Sequence, residues 1–125
     1  MPRKTRRTKT AERRERDRAC ARAHYRKYSD EYKTRNRRRA YFNREVVVAA
    51  KSNPCADCDR IYPPYVMDFD HVRGVKSFRI AEGAWTESTP RLLAEISKCD
   101  LVCANCHRER TYRRFAEARR AAKIS

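Results

Sequence analysis

Two Cys-x-x-Cys pairs, Cys55-Ala56-Asp57-Cys58 and Cys103-Ala104-Asn105-Cys106, constrain this chain more than any other feature. Two intervening residues let both sulfurs of a pair point at one ion from a tight turn, and two such knuckles complete a tetrahedral thiolate shell for zinc. The chain has 125 residues, 38% of them charged, and apolar burial alone makes a thin core at that size. A structural Zn²⁺ held by Cys55, Cys58, Cys103 and Cys106 would supply the missing folding free energy. The alternatives are a redox motif or two unrelated buried pairs. A redox Cys-x-x-Cys follows a strand in a thioredoxin-like pattern, and none is visible. The 44 residues between the pairs exceed the spacing of simple zinc ribbons, so a functional insert is expected there. Of the two remaining cysteines, Cys20 lies in a basic segment and is expected to be inert. Cys99 reads as a small buried apolar group rather than a fifth ligand.

Charge divides the chain. Residues 1–53 hold 19 Lys and Arg against 6 Asp and Glu, a net +13; residues 54–125 hold 13 against 10, a net +3. A positive field of this strength favours a phosphate backbone, where each neutralised phosphate releases counterions. The alternative is a solvated tail that serves solubility. A membrane partner is not expected, because the basic segment has no broad apolar face to insert. No apolar run approaches the roughly 18 residues needed to span a bilayer. The basic N-terminus lacks the apolar stretch of a secretory signal, and Glu12, Glu15 and Asp17 interrupt what would otherwise resemble a presequence. The expectation is an intracellular protein, whose cysteines serve metals before disulfides.

The organisation follows. Residues 1–10 read as a disordered basic tail and 11–53 as a basic helical arm, since Ala11 to Ala50 contains neither Gly nor Pro. Thr10 is a candidate cap, and Ser29-Asp30 a candidate break. Arg22, Arg26, Lys27, Arg35, Arg37, Arg38 and Arg39 are the candidate nucleic-acid contacts. Tyr25, Tyr28 and Tyr32 share a helical face; with Tyr41 they suit either sugar and phosphate contacts or a helix–helix seam. His24, beside Tyr25, reads as solvated or phosphate-facing. Val46 to Ala50 should dock the arm, and Asn53-Pro54 should end the helix. Residues 54–125 form the second domain. There, Tyr65 to His71 predicts a strand, with Val66 or Met67 and Phe69 on its buried side. Arg73-Gly74 predicts a turn, and Phe78 and Ile80 a second short strand. Ser88 or Thr89 with Pro90 should start a helix whose apolar face is Leu92, Leu93 and Ile96. A last helix is expected over 104–122 with Tyr112, Phe115 and Ala118 or Ala122 facing inward. Trp85 and Tyr62 are expected to pack in the core.

Two histidines stand where chemistry can use them. His71 follows Asp70 at the end of the first predicted strand, and His107 directly follows Cys106. Pinning both elements to one zinc site would bring Asp70, His71 and His107 into a small cleft. Phosphodiester hydrolysis needs a base for water and a divalent cation for charge on the phosphate and leaving oxygen. A carboxylate and an imidazole suit the cation; a second imidazole suits the base.

The order Cys-x-x-Cys, Asp-His at a strand end, then Cys-x-x-Cys-His resembles the zinc-containing HNH endonucleases of ββα-metal fold, common in bacteriophage genomes. The run Lys98-Cys99-Asp100-Leu101-Val102-Cys103-Ala104-Asn105-Cys106-His107-Arg108-Glu109 looks like the phage branch. The likeness covers about residues 54–112. It implies an α+β class: a small zinc-stapled ββα-metal domain behind a basic helical arm. It also implies that Asp70 and His107 hold a catalytic cation such as Mg²⁺, Mn²⁺, Ni²⁺ or Zn²⁺. His71 would then deprotonate water for in-line attack on DNA, leaving a 5′-phosphate. The four cysteines match the family's structural zinc ligands. Partners implied are DNA and other phage or host DNA-processing proteins, in the host cytoplasm if phage-encoded. The position that carries a base-orienting Asn in the family is Lys98 here; Asp100 and Asn105 lie nearby but out of register. Asp68 is a candidate for the shell around the metal ligands. The rival is a non-enzymatic zinc-finger module that binds DNA or RNA; a basic packaging factor is a third reading.

Overall fold

The computed structural model describes residues 10–124. The tail expected over 1–10 therefore lies outside the described residues except for Thr10. Helix α1 (Ala11–Lys51) opens the chain, and a single 3₁₀ turn (Pro64–Val66) leads into strand β1 (Met67–His71). Helices α2 (Ile80–Thr86) and α3 (Thr89–Ile96), strand β2 (Cys99–Cys103) and helix α4 (Ala104–Ile124) follow. The class is mixed α+β with one two-stranded sheet. No described helix is long and apolar enough to cross a membrane. The chain divides into two compact units, Met1–Arg37 and Arg38–Ser125.

α1 starts where the sequence indicates. The Arg13 amide donates to Thr10 Oγ1 at 3.4 Å, satisfying one of the donors a helix leaves unpaired at its N-terminus. The break at Ser29-Asp30 does not occur: α1 runs on through both residues. Serine and aspartate cost a helix interior at most about 0.7 kcal/mol each relative to alanine, too little to end a run without Gly or Pro. The helix ends two residues before Asn53-Pro54, where Ser52 Oγ donates to the Val48 carbonyl at 2.8 Å and Asn53 Nδ2 to Ala50 at 3.1 Å.

In the first unit, the described residues after Thr10 are all helical. Tyr25 and Tyr32 stack at 6.3 Å, and His24 lies 4.7 Å from Tyr28. Arg35 sits over the Tyr32 ring at 5.1 Å. No second element of this unit meets these rings among the described residues, so a helix–helix seam finds no partner within it.

In the second unit, β1 and β2 pair antiparallel with Met67 opposite Cys103, Asp70 opposite Asp100 and His71 opposite Cys99. The second strand is thus not at Phe78 and Ile80, as the alternation suggested. Ile80 opens α2 and is buried there. Phe78 lays its ring over Gly83, where a Cβ would fall 2.2 Å from Cε2. Two apolar clusters hold the unit. One joins Cys55, Met67, Val102 and Cys103, with Tyr62 packed against it. The other joins Ile80, Ala84, Leu92 and Cys99, with Val47, Phe69, Phe78 and Ile96 around it. Val47 therefore docks the end of α1, as expected of the Val46–Ala50 patch. Asn43, fully buried, donates from Nδ2 to the carbonyls of Ala84 and Glu87 at 3.2 and 2.9 Å and accepts from Thr89 Oγ1 at 2.6 Å. It satisfies orphan carbonyls at the end of α2 while anchoring the start of α3.

Several apolar expectations fail. Tyr112 and Phe115 are 73% and 65% exposed, and Ala118 and Ala122 are exposed with them. The face of α4 that turns inward carries His107, Arg110 and Arg114, at i, i+3 and i+7, in place of apolar side chains. Leu93 points outward, leaving Leu92 buried and Ile96 partly buried as the apolar positions of α3 that face inward, with Glu95 buried between them. Trp85 is exposed, its ring covered by Arg44 at 5.2 Å.

Candidate metal and catalytic centre

The four knuckle sulfurs come together from opposite ends of the second unit's sequence. All lie within 4.8 Å of one another, and Cys58 Sγ is 4.0 Å from Cys103 Sγ. Sulfurs about 2.3 Å from a tetrahedral zinc are separated by about 3.8 Å, so the cluster fits a metal ion such as zinc with little adjustment. The first knuckle closes through Cys55 N–H to the Arg60 carbonyl and Asp59 N–H to the Cys55 carbonyl, both 2.9 Å. Asp59 takes a positive φ of 60° there, a conformation aspartate tolerates better than most residues. Ala56 N–H reaches the Leu101 carbonyl at 2.8 Å and fixes this knuckle on β2. Backbone amides also point at sulfur: Cys103 N to Cys55 Sγ at 3.3 Å and Cys106 N to Cys103 Sγ at 3.5 Å. Burial works against ionisation of Cys55, but the amides of Cys58 and Cys103 outweigh it and lower its thiol. The hydrogen bond with Cys103, with burial, raises Cys106. The thiols thus differ in their readiness to ionise, and a dication favours the thiolate at each. Cys99 stays out of the cluster. It is buried in the second apolar group, and burial, then the nearby Glu95, pushes its thiol up to about 11.

Asp70 and His71 end β1, and His107 lies in the first turn of α4. His107 Nε2 is 3.8 Å from Asp70 Oδ1, and His107 Nδ1 is 3.1 Å from Asp68 Oδ2. An ionised carboxylate accepts only, so His107 donates Nδ1–H to Asp68; the tautomer with that one proton turns its Nε2 lone pair towards Asp70. Two acceptors facing each other across this distance suit a shared cation. A carboxylate behind a metal-binding imidazole is also the usual way of fixing its tautomer. Asp70 is 4% exposed and is held by guanidinium groups. Arg114 donates from Nη2 and Nη1 at 2.6 and 2.9 Å, and Arg110 Nη1 at 3.0 Å. Those bonds, Arg114 first, hold its carboxyl below the usual range despite burial.

Arg110 does more than touch Asp70. Its Nε and Nη2 pair with Asp57 at 2.7 and 2.6 Å, and Nη1 also reaches Asp100 at 3.0 Å. Asp70 and Asp100 face each other across the sheet, where like charges repel, and one guanidinium bridges them. The hydrogen bond to Asp57 leads the causes that raise Arg110 above its already high value.

His71 does not join the Asp70–His107 contact. Its Nε2 lies 3.0 Å from Glu95 Oε1, and Glu95 is 2% exposed. Lys98 Nζ donates to Glu95 Oε2 at 2.8 Å, and Ser77 N–H to Oε1 at 2.9 Å. Lys98, first among the causes, and Ser77 hold the Glu95 carboxyl at about 2 against burial. Asp100 binds Arg73 and Arg110.

Sequence reasoning named Asp70, His71, His107 and Asp68 but missed Glu95, Arg110 and Arg114. The arginines repeat from His107 at helical spacing, a signal masked by the abundance of basic residues. Of the arm set, Arg22, Arg26, Lys27, Arg35, Arg37 and Arg38 are exposed. Arg39 is half-buried, and its Nε has no hydrogen-bond partner. No family model matches the chain, and neither does any curated protein or solved structure.

Proposed function

We propose that this chain is a metal-dependent HNH endonuclease that hydrolyses phosphodiester bonds of DNA. The observation that carries the reading is the convergence of Asp70 Oδ1 and His107 Nε2, 3.8 Å apart, with His71 next in the strand. Asp70 and His107 would hold a divalent cation, with Asp68 fixing the His107 tautomer. A cation bound there supplies electrostatic stabilisation of charge on the phosphate and the leaving oxygen. His71 accepts the proton of the attacking water. Arg114, half-exposed beside Asp70, is within reach of a phosphate oxygen that approaches the pair. The basic arm supplies most of the attraction to the backbone through its net +13.

One observation favours the rival, a zinc module that binds nucleic acid without cutting it: both oxygens of Asp70 are already engaged by arginines. Supercoiled-plasmid cleavage with Mg²⁺, Mn²⁺, Ni²⁺ or EDTA separates the two. The wild type should cut with at least one cation. His71→Ala, with zinc content and DNA affinity unchanged, should cut about 100-fold more slowly or worse, the scale of general-base loss. Equal cutting by the variant refutes the role of His71. DNA binding without cutting under every cation supports the rival.

A further inference from the structure

We infer that Glu95 is the positioning residue for His71, fixing the ring with its Nε2–H donated to the carboxylate and its Nδ1 lone pair turned outward as the acceptor. The catalytic meaning rests on the nuclease reading; the tautomer does not.

The geometry leaves little choice. Glu95 Oε1 is 3.0 Å from His71 Nε2, and an ionised carboxylate has no proton to give, so Nε2 donates. A neutral ring that donates from Nε2 keeps its lone pair on Nδ1. No partner of Nδ1 is found among the described residues, and Nδ1 is not among the buried atoms lacking one, so solvent reaches it.

Glu95 is itself held from three sides. Oε1 also accepts from Ser77 N–H at 2.9 Å, and Oε2 accepts from Lys98 Nζ at 2.8 Å. The ammonium uses its remaining protons on the Val75 carbonyl at 2.8 Å and Ser77 Oγ at 3.3 Å. Both oxygens of the buried Glu95 carboxylate and all three N–H groups of the partly exposed Lys98 ammonium are thus engaged, and a network held this way is rigid. Lys98 thus takes no part in orienting His71 directly. It aims the carboxylate that does, so the ring is oriented from α3.

A merely structural Glu95 would stitch α3 to residues 75–77 and touch His71 by accident. Two measurements separate the roles, both on the full chain loaded with zinc. The first is the pair of ring ¹⁵N shifts of His71 in the wild type, at a pH where the ring is neutral. A single Nε2–H tautomer is expected; an Nδ1–H ring overturns the inference, and no variant needs to fold for that answer. The second compares Glu95→Gln with the double variant Glu95→Leu, Lys98→Met, which removes both charges together and so leaves neither stranded. Glutamine keeps an acceptor oxygen and should keep the tautomer and most of kcat. The double variant should give the averaged shifts of a free imidazole and lose about 10- to 100-fold in kcat, the scale for losing an orienting partner, with KM for DNA unchanged. A double variant that keeps the fixed tautomer, or that cuts at the wild-type kcat, overturns the inference. If the wild type cuts no DNA, the nuclease reading falls by itself, and the shifts alone decide between Glu95 and a free ring.

Discussion

Replacing Arg110 with alanine removes one guanidinium from three carboxylates that belong to three different segments. Asp57 lies inside the first knuckle, Asp70 on β1 and Asp100 on β2. The side chains of Asp57 and Asp100 are 36% and 30% exposed, so each contact belongs to the surface scale of about 0.2–1 kcal/mol. Asp70 is 4% exposed. It keeps Arg114, so its loss is one charge-assisted bond of about 1.5–3 kcal/mol. The unmasked Asp70–Asp100 repulsion adds about 0.2–1 kcal/mol. Arg110→Ala should therefore destabilise the zinc-loaded protein by about 4 kcal/mol, within a range of roughly 2–6. Urea unfolding at fixed free zinc measures this as a lower midpoint with an unchanged slope. Arg110→Lys should recover less than half, because one ammonium lacks the planar fork that spans the three partners. An alanine variant within about 0.5 kcal/mol of wild type, the scatter of inert surface changes, refutes the reasoning. A lysine variant as stable as wild type does the same.

Metal analysis of purified protein should find one zinc per chain, and chelation or Cys58→Ser should unfold the second unit, seen by circular dichroism; folded protein without metal contradicts this. Deleting residues 1–37 should weaken duplex binding and flatten its salt dependence, with the cut kept short of Ala40 and Asn43 because both are buried in the second unit. An unchanged salt slope would remove the arm from the interface. With zinc bound, Cys20, expected from its place in the sequence to be inert, is exposed and should instead alkylate readily at pH 8. Cys99, whose thiol is held at about 11, should stay unmodified. Its thiolate fraction grows tenfold per pH unit towards 11, so labelling, followed by mass spectrometry, should rise with pH over that interval.

What the sequence made legible was local or chemically singular. The knuckles follow from cysteine spacing, the start of α1 from Thr10, the start of α3 from Ser88-Thr89-Pro90, and the end of β1 from Asp70-His71. Each depends on a few neighbouring residues. The second strand was missed because Cys99-Asp100-Leu101-Val102-Cys103 was read for its ligands and its run lacks clean alternation. Phe78 and Ile80 alternate only over three residues, and Gly83 decides their fate from the next turn of helix. The inward face of α4 was misread because polar contacts to Asp57, Asp70 and Asp100 replace apolar packing there, and periodicity reports apolar faces alone. Glu95 follows the same logic. It lies beside Leu92 and Ile96 on the buried side of α3, and a carboxylate on such a face is itself a signal, since burial of an acid requires partners.

The strands that form the sheet are not neighbours in the chain, and Cys103 follows Cys55 by 48 residues. At the usual synthesis rate of about 5–20 residues per second, a nascent chain waits about 2–10 seconds between the two knuckles. During that interval the first pair offers two of four thiolates, β1 has no partner strand, and Met67 and Phe69 have no completed core to enter. The basic arm, with 19 of the 32 positive residues in positions 1–53, has by then already left the ribosome. The arm's positive charge is thus exposed before the second knuckle is made. The folded centre forms only after Cys106 and His107 emerge, so the arm's charge is in place before Asp70 and His107 can meet.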